Sequence, residues 1–352
     1  MTDFLKIYSS TEIHSRTRHR KGETKLGDVV QTLNVNNPWI EELIKSTAKF
    51  VVLGLPEDIG VRANYGRGGA YAAWKPSLDF LINMQSNEFL KGDEILILGH
   101  IHFTDLMERC NELDLKLEED MVKARELVSE VDERVFSVVT EIAKTGKIPI
   151  IIGGGHNNAY PIIKAMHMAT GVRHFNVINC DPHSDIRPMN GRHSGNGFHY
   201  ALSEDHLYKY AVFGLHESYN INTAMELFHK NHKRLHYETY DDIFVRESIN
   251  YFDALKNCFD FIIEKEQGNK NYVGLEVDLD SIQNVPVSAR TPSGMLPIDV
   301  RKFVWHAAEN LNCAYLHIAE GAPVLAHKQM DNKTGKLIAY LITDFIKSRN
   351  AV

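Results

Sequence analysis

Three short stretches of this 352-residue chain put acids and imidazoles at spacings that could do chemistry. In Asp181-Pro182-His183-Ser184-Asp185 an acid, an imidazole and an acid occupy alternate positions, and Asp278-Leu279-Asp280 repeats the alternation with two acids. Alternate side chains of an extended segment point the same way, so each set can converge on one point. His156 follows three glycines at the end of a third apolar run. Four carboxylates buried together would be prohibitively unfavourable unless cations compensated them. A carboxylate-rich set with some imidazole suits Mn2+ or another intermediate divalent ion better than a thiolate-seeking one. Six candidate ligands, His156, Asp181, His183, Asp185, Asp278 and Asp280, are too many for one catalytic ion that must keep open positions. They suit two ions sharing bridging carboxylates, with a water-derived hydroxide between them. Each motif alone is weak, because acids at strand ends commonly cap helices and a lone histidine there is more often structural. Their joint placement at three run ends carries the reading.

The elements that must position these residues follow from hydropathy. β-Branched apolar runs at 50–58, 94–101, 148–154, 175–181, 210–217, 271–280 and 313–320 predict buried strands. Amphipathic stretches at 117–145, 158–168, 253–266, 298–310 and 334–349 predict helices between most of them. The alternation points to an α/β fold with one mostly parallel sheet covered on both faces. Open parallel sheets bind ligands at the carboxyl ends of their strands, which is where the three motifs fall. No repeat or Pro/Gly/Ser-rich linker divides the chain, so a single catalytic domain is expected over 49–352. The polar residues 1–48 read as an N-terminal extension, a solvated arm or extra helix carrying a basic run at 16–21.

Composition narrows the classes. With 39 Lys+Arg against 46 Asp+Glu the formal charge is 39 − 46 = −7, which argues against a general nucleic-acid binder. The apolar fraction of 43% excludes a disordered chain. No apolar run is long enough for a signal peptide or a membrane span. Cys110, Cys180, Cys258 and Cys313 are scattered without disulfide-framework spacing, and the sequon at Asn332 reads as chance. A cytoplasmic protein acting on a small molecule is expected, with no nucleic-acid or membrane partner.

The segments GGGHNNAYP (153–161), NCDPHSDIRP (179–188), HSGNGF (193–198), EVDLDSIQNVP (276–286) and IAEGAP (318–323) resemble, in order, the motifs of the ureohydrolases: arginase, agmatinase and formimidoylglutamase. The resemblance runs from residue 50 to the C-terminus. It implies an arginase-like three-layer αβα sandwich, assembled as a homotrimer or hexamer, with two Mn2+ per subunit. One ion would be held by His156, Asp181, Asp185 and Asp278, the other by Asp181, His183, Asp278 and Asp280, with Asp181 and Asp278 bridging. Asp185 would also orient the hydroxide. Glu320 would pair with the substrate's amidine or guanidine, a planar N–C–N cation that a carboxylate accepts in bidentate fashion. GGGH where arginases read GGDH, Ile186-Arg187 after the D-x-H-x-D core, S-G-x-x-F at 194–198 and VSARTPSGMLP at 287–297 look more like formimidoylglutamase than arginase. Phe198 stands where arginases carry a proton-shuttling His, and the adjacent His199 would point elsewhere in an extended segment. Gln283 departs from the family's usual third Asp.

The implied reaction is hydrolysis of N-formimidoyl-L-glutamate to L-glutamate and formamide, with the leaving amine collecting a proton relayed through Asp185. A dicarboxylate substrate needs local cations. Arg187 is the first candidate, followed by Arg192, Arg290, Arg62 and Arg67; a guanidinium fork suits carboxylates better than an ammonium. Ser194 and Asn196 could bond the substrate's amino-acid end. His100, His102, His193, His216 and His317 read as structural, and Cys180 as facing the core. Two rivals stand beside this reading: another amidinohydrolase acting on arginine, agmatine or a guanidino acid, and a non-catalytic metal-binding relative.

Overall fold

The computed structural model describes residues 4–263, 271–326 and 332–351. Nine strands form one sheet: β1 (Leu5–Ile7), β2 (Phe50–Gly54), β3 (Ile95–Ile101), β4 (Ile148–Ile152), β5 (Asn176–Cys180), β6 (Tyr210–Leu215), β7 (Leu235–Thr239), β8 (Tyr272–Asp278) and β9 (Asn312–Ala319). They lie in the order β1-β3-β2-β4-β9-β8-β5-β6-β7. Every neighbouring pair is parallel except β1, which runs antiparallel beside β3.

Alternate strand residues enter opposite cores, as the pleat requires. Val52, Ile97, Ile150 and Leu275 face one side; Val51, Leu96, Leu98 and Ile151 face the other. Helices Trp74–Leu81, Tyr251–Ile262, Pro297–Asn310 and Asn332–Ala351 cover the first face, and Glu118–Lys144, Ala159–Thr170 and Asn222–Lys230 cover the second. The result is a three-layer αβα sandwich. Asn332–Ala351 shows why these stretches are helical. Ile338, Leu341, Ile342 and Phe345 fall at i, i+3, i+4 and i+7 and are fully buried, each contributing about 1.5–3 kcal/mol.

Two strands are absent from the hydropathy reading. β1 has only three residues, and the edge strand β7 (LHYET) has three partly exposed positions, so neither forms an apolar run. Of the two readings of the N-terminal extension, residues 4–48 follow the helical one and not the solvated arm, forming helices Ser10–Arg16, Leu26–Val29 and Trp39–Lys45. The same residues supply β1 and bury Ile13, Leu26, Leu33 and Leu43, and the Tyr8 hydroxyl accepts a hydrogen bond from Trp74 Nε1 at 3.2 Å. The predicted helix over 253–266 is observed as Tyr251–Ile262, and its last three positions lie outside the described residues.

Topology sets up the site. β4, β9, β8 and β5 are consecutive, parallel neighbours, so their carboxyl ends open at one edge. His156 lies four residues past β4, Glu320 one past β9, Asp278 ends β8, and Asp181 follows β5 directly.

Candidate metal centre

The turn after β4 needs its glycines. Gly153 and Gly154 have φ of +89° and +73°, and a Cβ on Gly154 would sit 2.3 Å from Asn158 Nδ2 and 2.9 Å from Glu57 Oε1. Glu57 is fully buried beneath this loop. It accepts hydrogen bonds from the Gly155 N–H at 3.1 Å, Asn158 Nδ2 at 2.6 Å and the Ile59 N–H at 2.7 Å, and burial pushes its carboxyl up to about 7. His156 is thereby delivered to the centre on a braced turn.

His156 Nδ1 lies 3.1 Å from Asp181 Oδ2, 3.1 Å from Asp185 Oδ2 and 3.2 Å from Asp278 Oδ2. It is buried and aligned for a hydrogen bond with none of them. One donor atom from each of these four residues lies within 4.8 Å of the others. The other ring nitrogen, Nε2, is 3.3 Å from Glu276 Oε2. Glu276 also takes His317 Nδ1 and the Tyr315 hydroxyl, each at 2.6 Å. A buried carboxylate behind a histidine is the usual device for aiming the opposite nitrogen at a metal.

A second group, His183, Asp278 and Asp280, lies beside the first and shares Asp278 with it. The two oxygens of Asp181 face the two imidazoles, Oδ2 towards His156 and Oδ1 towards His183 at 3.5 Å. Backbone amides set the carboxylates: the His183 N–H donates to Asp181 Oδ1 at 2.7 Å, and the Asp280 N–H to Asp278 Oδ1 at 2.6 Å. Asp185 and Glu320 both occupy the left-handed region, with φ of +49° and +66°, a conformation uncommon for such residues and concentrated at functional sites.

The electrostatics describe a cluster short of positive charge. Burial, then the charge of Asp181, raises Asp185 and lifts Asp278 to about 6. Burial and Asp278 raise Asp280 well above the carboxylate range, and burial with Asp278 and Asp280 does the same to Glu320. Asp181 falls, to about 2, because His156 and His183 outweigh its burial, and Glu276 falls likewise, to about 2, because His317 and His156 outweigh its own. His156 rises well above its ordinary value: its burial opposes this, but the carboxylates around it prevail. These donors fit divalent ions. His156 Nδ1 and Asp280 Oδ1 are buried without a hydrogen-bond partner, and a cation among the oxygens would compensate both groups.

A cleft of about 180 Å3 opens over the cluster. Asn64, Arg187, Ser194 and Ser288 line it together with His183, Asp185, Asp278, Asp280 and Glu320. Asn64 Nδ2 donates to Ser194 Oγ at 3.2 Å, and Glu320 Oε1 accepts the His156 N–H at 2.8 Å.

Among the arginines singled out in the sequence, only Arg187 lines this cleft. Arg192 is buried, paired through Nε with Asp132 at 2.8 Å and held between the Tyr160 and Tyr200 rings. Arg62 bonds Asn111 and the Cys110 carbonyl, Arg67 bonds the Ser288 carbonyl, and Arg290 is exposed and follows Ala289 of the lining without being part of it. Asn196 is a correction to the substrate-contact expectation. Its Oδ1 accepts from Arg192 Nη1 and the His193 N–H, and its Nδ2 donates to the Pro188 and Gly191 carbonyls. All four hydrogen-bonding positions of the amide are taken, so Asn196 braces the loop that carries Arg187 and Ser194.

The histidines sort similarly. His193 is buried, accepts the Gly195 N–H, and is pushed down to about 3 by burial and nearby arginines. His216 stacks between Tyr219 and Tyr240, and His100 bonds the Tyr8 hydroxyl. His102 is exposed. His199 Nδ1 bonds the Arg187 carbonyl, outside the cleft lining. Phe198 is fully buried, edge-on to the His156 ring. Cys180 faces the core, 3.7 Å from Ser281 Oγ. Glu276, Glu57, Asn64 and Ser288 were not singled out for roles from the sequence. Glu276 carried a readable signal, since Glu276, Asp278 and Asp280 form an unbroken alternation of acids.

The model of the arginase family matches residues 48–347. A formimidoylglutamase of Streptococcus gordonii is 25% identical over 329 residues, covering 90% of this chain and 89% of that one. Among solved structures, the formimidoylglutamase of Bacillus subtilis superposes with a TM-score of 0.73 at 19% identity, covering 95% of this chain and 94% of that one. A Trypanosoma cruzi formiminoglutamase with Mn2+ gives 0.67 at 20% identity, covering 93% and 98%. Both share the fold. Motif order, sheet topology and the length of the family match agree, and the chain belongs to the arginase family.

Proposed function

We propose that this chain is a binuclear manganese hydrolase of linear amidines, acting on N-formimidoyl-L-glutamate to give L-glutamate and formamide. The observation that carries the reading is the cleft over the clustered donors, in which Arg187 is the one guanidinium among the described lining residues and Glu320 lines the same space. A Mn2+-bearing relative of the same fold and formimidoylglutamase relatives support the choice of metal and substrate.

One ion would be held by His156, Asp181, Asp185 and Asp278, and the other by Asp181, His183, Asp278 and Asp280. Bound there, the pair would make a water acidic enough to serve as hydroxide near neutral pH. The chain's own groups do the rest. Glu320 accepts the paired N–H groups of the planar amidinium and so presents its carbon to the cluster. Arg187 receives a substrate carboxylate, and Asn64, Ser194 and Ser288 offer hydrogen bonds to the amino-acid end. Asp185 takes up the proton of the attacking water and returns it to the departing amine as the C–N bond breaks. The loop residues over the cluster limit entry of bulk water. Buried Phe198 offers no proton relay at the position where arginases carry a histidine.

The test is a substrate panel on Mn2+-loaded protein: N-formimidoyl-L-glutamate, arginine, agmatine and guanidino acids. Equimolar glutamate and formamide from the first compound is expected. Turnover of a guanidine in its place would transfer the chain to another branch of the family, and no hydrolysis with both ions bound would favour a non-catalytic relative.

A further inference from the structure

Outside the buried centre, His14, His19 and Asp28 place one donor atom each within 4.8 Å of one another. His14 lies in the last turn of helix Ser10–Arg16, Asp28 in the short helix Leu26–Val29, and His19 in the irregular segment between them. Two of these groups are held from behind. His19 Nε2 lies 3.2 Å from the His14 carbonyl oxygen, while His19 Nδ1 faces Asp28 Oδ1 at 2.8 Å. Asp28 Oδ2 accepts the Lys25 N–H at 2.7 Å, which turns Oδ1 towards the imidazole. The His14 ring lies against that of His19, with centroids 4.1 Å apart.

A neutral imidazole carries a single ring proton. With Nε2–H on the His14 carbonyl, His19 Nδ1 turns a lone pair towards a carboxylate oxygen, which is repulsive unless a second proton or a metal ion lies between them. Backing one ring nitrogen with a carbonyl and one carboxylate oxygen with an amide is how outer hydrogen bonds orient metal ligands. The support beneath is close-packed. A Cβ on Gly27 would come within 2.0 Å of Thr17 Oγ1, which itself bonds the Ile13 carbonyl at 2.9 Å.

We propose that His14, His19 and Asp28 form a further metal site, separate from the buried centre, that takes one borderline divalent ion of the Zn2+ class, with water completing its shell. Arg16 is paired with Asp79 and Arg20 with Glu23, but Arg18 and Lys21 remain exposed nearby. Their charge weakens binding of ions held by electrostatics alone, such as Mg2+ or Ca2+, and leaves imidazole coordination as the source of affinity. The ion clasps the two helices across residues 17–25, giving the basic run at 16–21 a role as the loop that carries His19. This site does not depend on the reaction proposed above.

The experiment titrates Mn2+-loaded full-length chain with Zn2+, alongside His19→Ala and His14→Ala, and quantifies Mn2+ in the same samples. Wild type should take up one Zn2+ per chain while keeping its Mn2+, with a Zn2+-dependent rise in Tm. Both variants should keep their Mn2+, which also reports that they fold, and bind Zn2+ about 10- to 100-fold more weakly or worse. Excess Mg2+ should not compete. Equal Zn2+ uptake by the variants, or wild-type uptake matched by Mn2+ release, would overturn the site.

Discussion

Replacing Glu276 with glutamine tests how the centre is aimed. Glu276 is fully buried, and its two oxygens serve three donors: His156 Nε2 at 3.3 Å, His317 Nδ1 at 2.6 Å and the Tyr315 hydroxyl at 2.6 Å. Glutamine keeps the shape but offers one acceptor oxygen, and its amide nitrogen would confront groups that also donate. Hydrogen bonds to a charged group are worth about 1.5–3 kcal/mol, so a weakened hold on His156 converts to roughly 10- to 100-fold in Mn2+ affinity. That range agrees with the usual cost of losing an outer carboxylate at a metal site. The loss should fall on the ion nearest His156 and spare the one nearest His183, which does not touch Glu276. Metal-buffered titration followed by electron paramagnetic resonance would read the two affinities. A melting curve of the metal-free protein separates this effect from general destabilisation, expected at about 1–3 kcal/mol from the unpaired Tyr315 or His317. Unchanged affinity at both positions, or equal loss at both, would show that Glu276 does not aim His156.

Other outcomes follow from the same geometry. Arg187→Ala should raise KM for the dicarboxylate substrate about 10- to 100-fold, the worth of a charge-assisted bond, with Mn2+ content unchanged; metal loss would make Arg187 a support of the cluster. Gly154→Ala forces a Cβ against Asn158 and Glu57 at a φ of +73°, and should lower Tm and Mn2+ occupancy together; a fully occupied, equally stable variant would show that the turn can relax. Asn196→Ala should raise KM through loosening of the Arg187 loop, so a variant with unaltered KM would separate that loop from substrate binding. Burial holds the Asp132 carboxyl up at about 6 against the pull of Arg192. The folded state therefore binds that proton more tightly than the unfolded chain does, and stability falls as pH rises from about 4 to about 6. Asp132→Asn should flatten this limb of the Tm–pH curve, and an unchanged slope would contradict the assignment.

The strand-end pattern was legible because apolar runs and alternate acids are local properties. His156, Asp181, His183, Asp185, Asp278 and Asp280 all lie where β4, β5 and β8 stop, and hydropathy alone locates those ends. What escaped was set by distant partners. Arg187 and Arg192 are five positions apart in the chain, yet one lines the cleft and the other is buried, because Asp132 on the helix Glu118–Lys144 claims the second. Asn196 sits within a motif but spends its amide on four neighbours, a saturation that no spacing reveals. β1 and β7 were missed because sheet-edge strands need not be apolar.

Anomalous diffraction at the manganese edge on Mn2+-loaded crystals locates the ions themselves. Two peaks per chain are expected, one among His156, Asp181, Asp185 and Asp278 and one among Asp181, His183, Asp278 and Asp280. A single peak, or manganese bound away from these side chains, would contradict the two-ion centre.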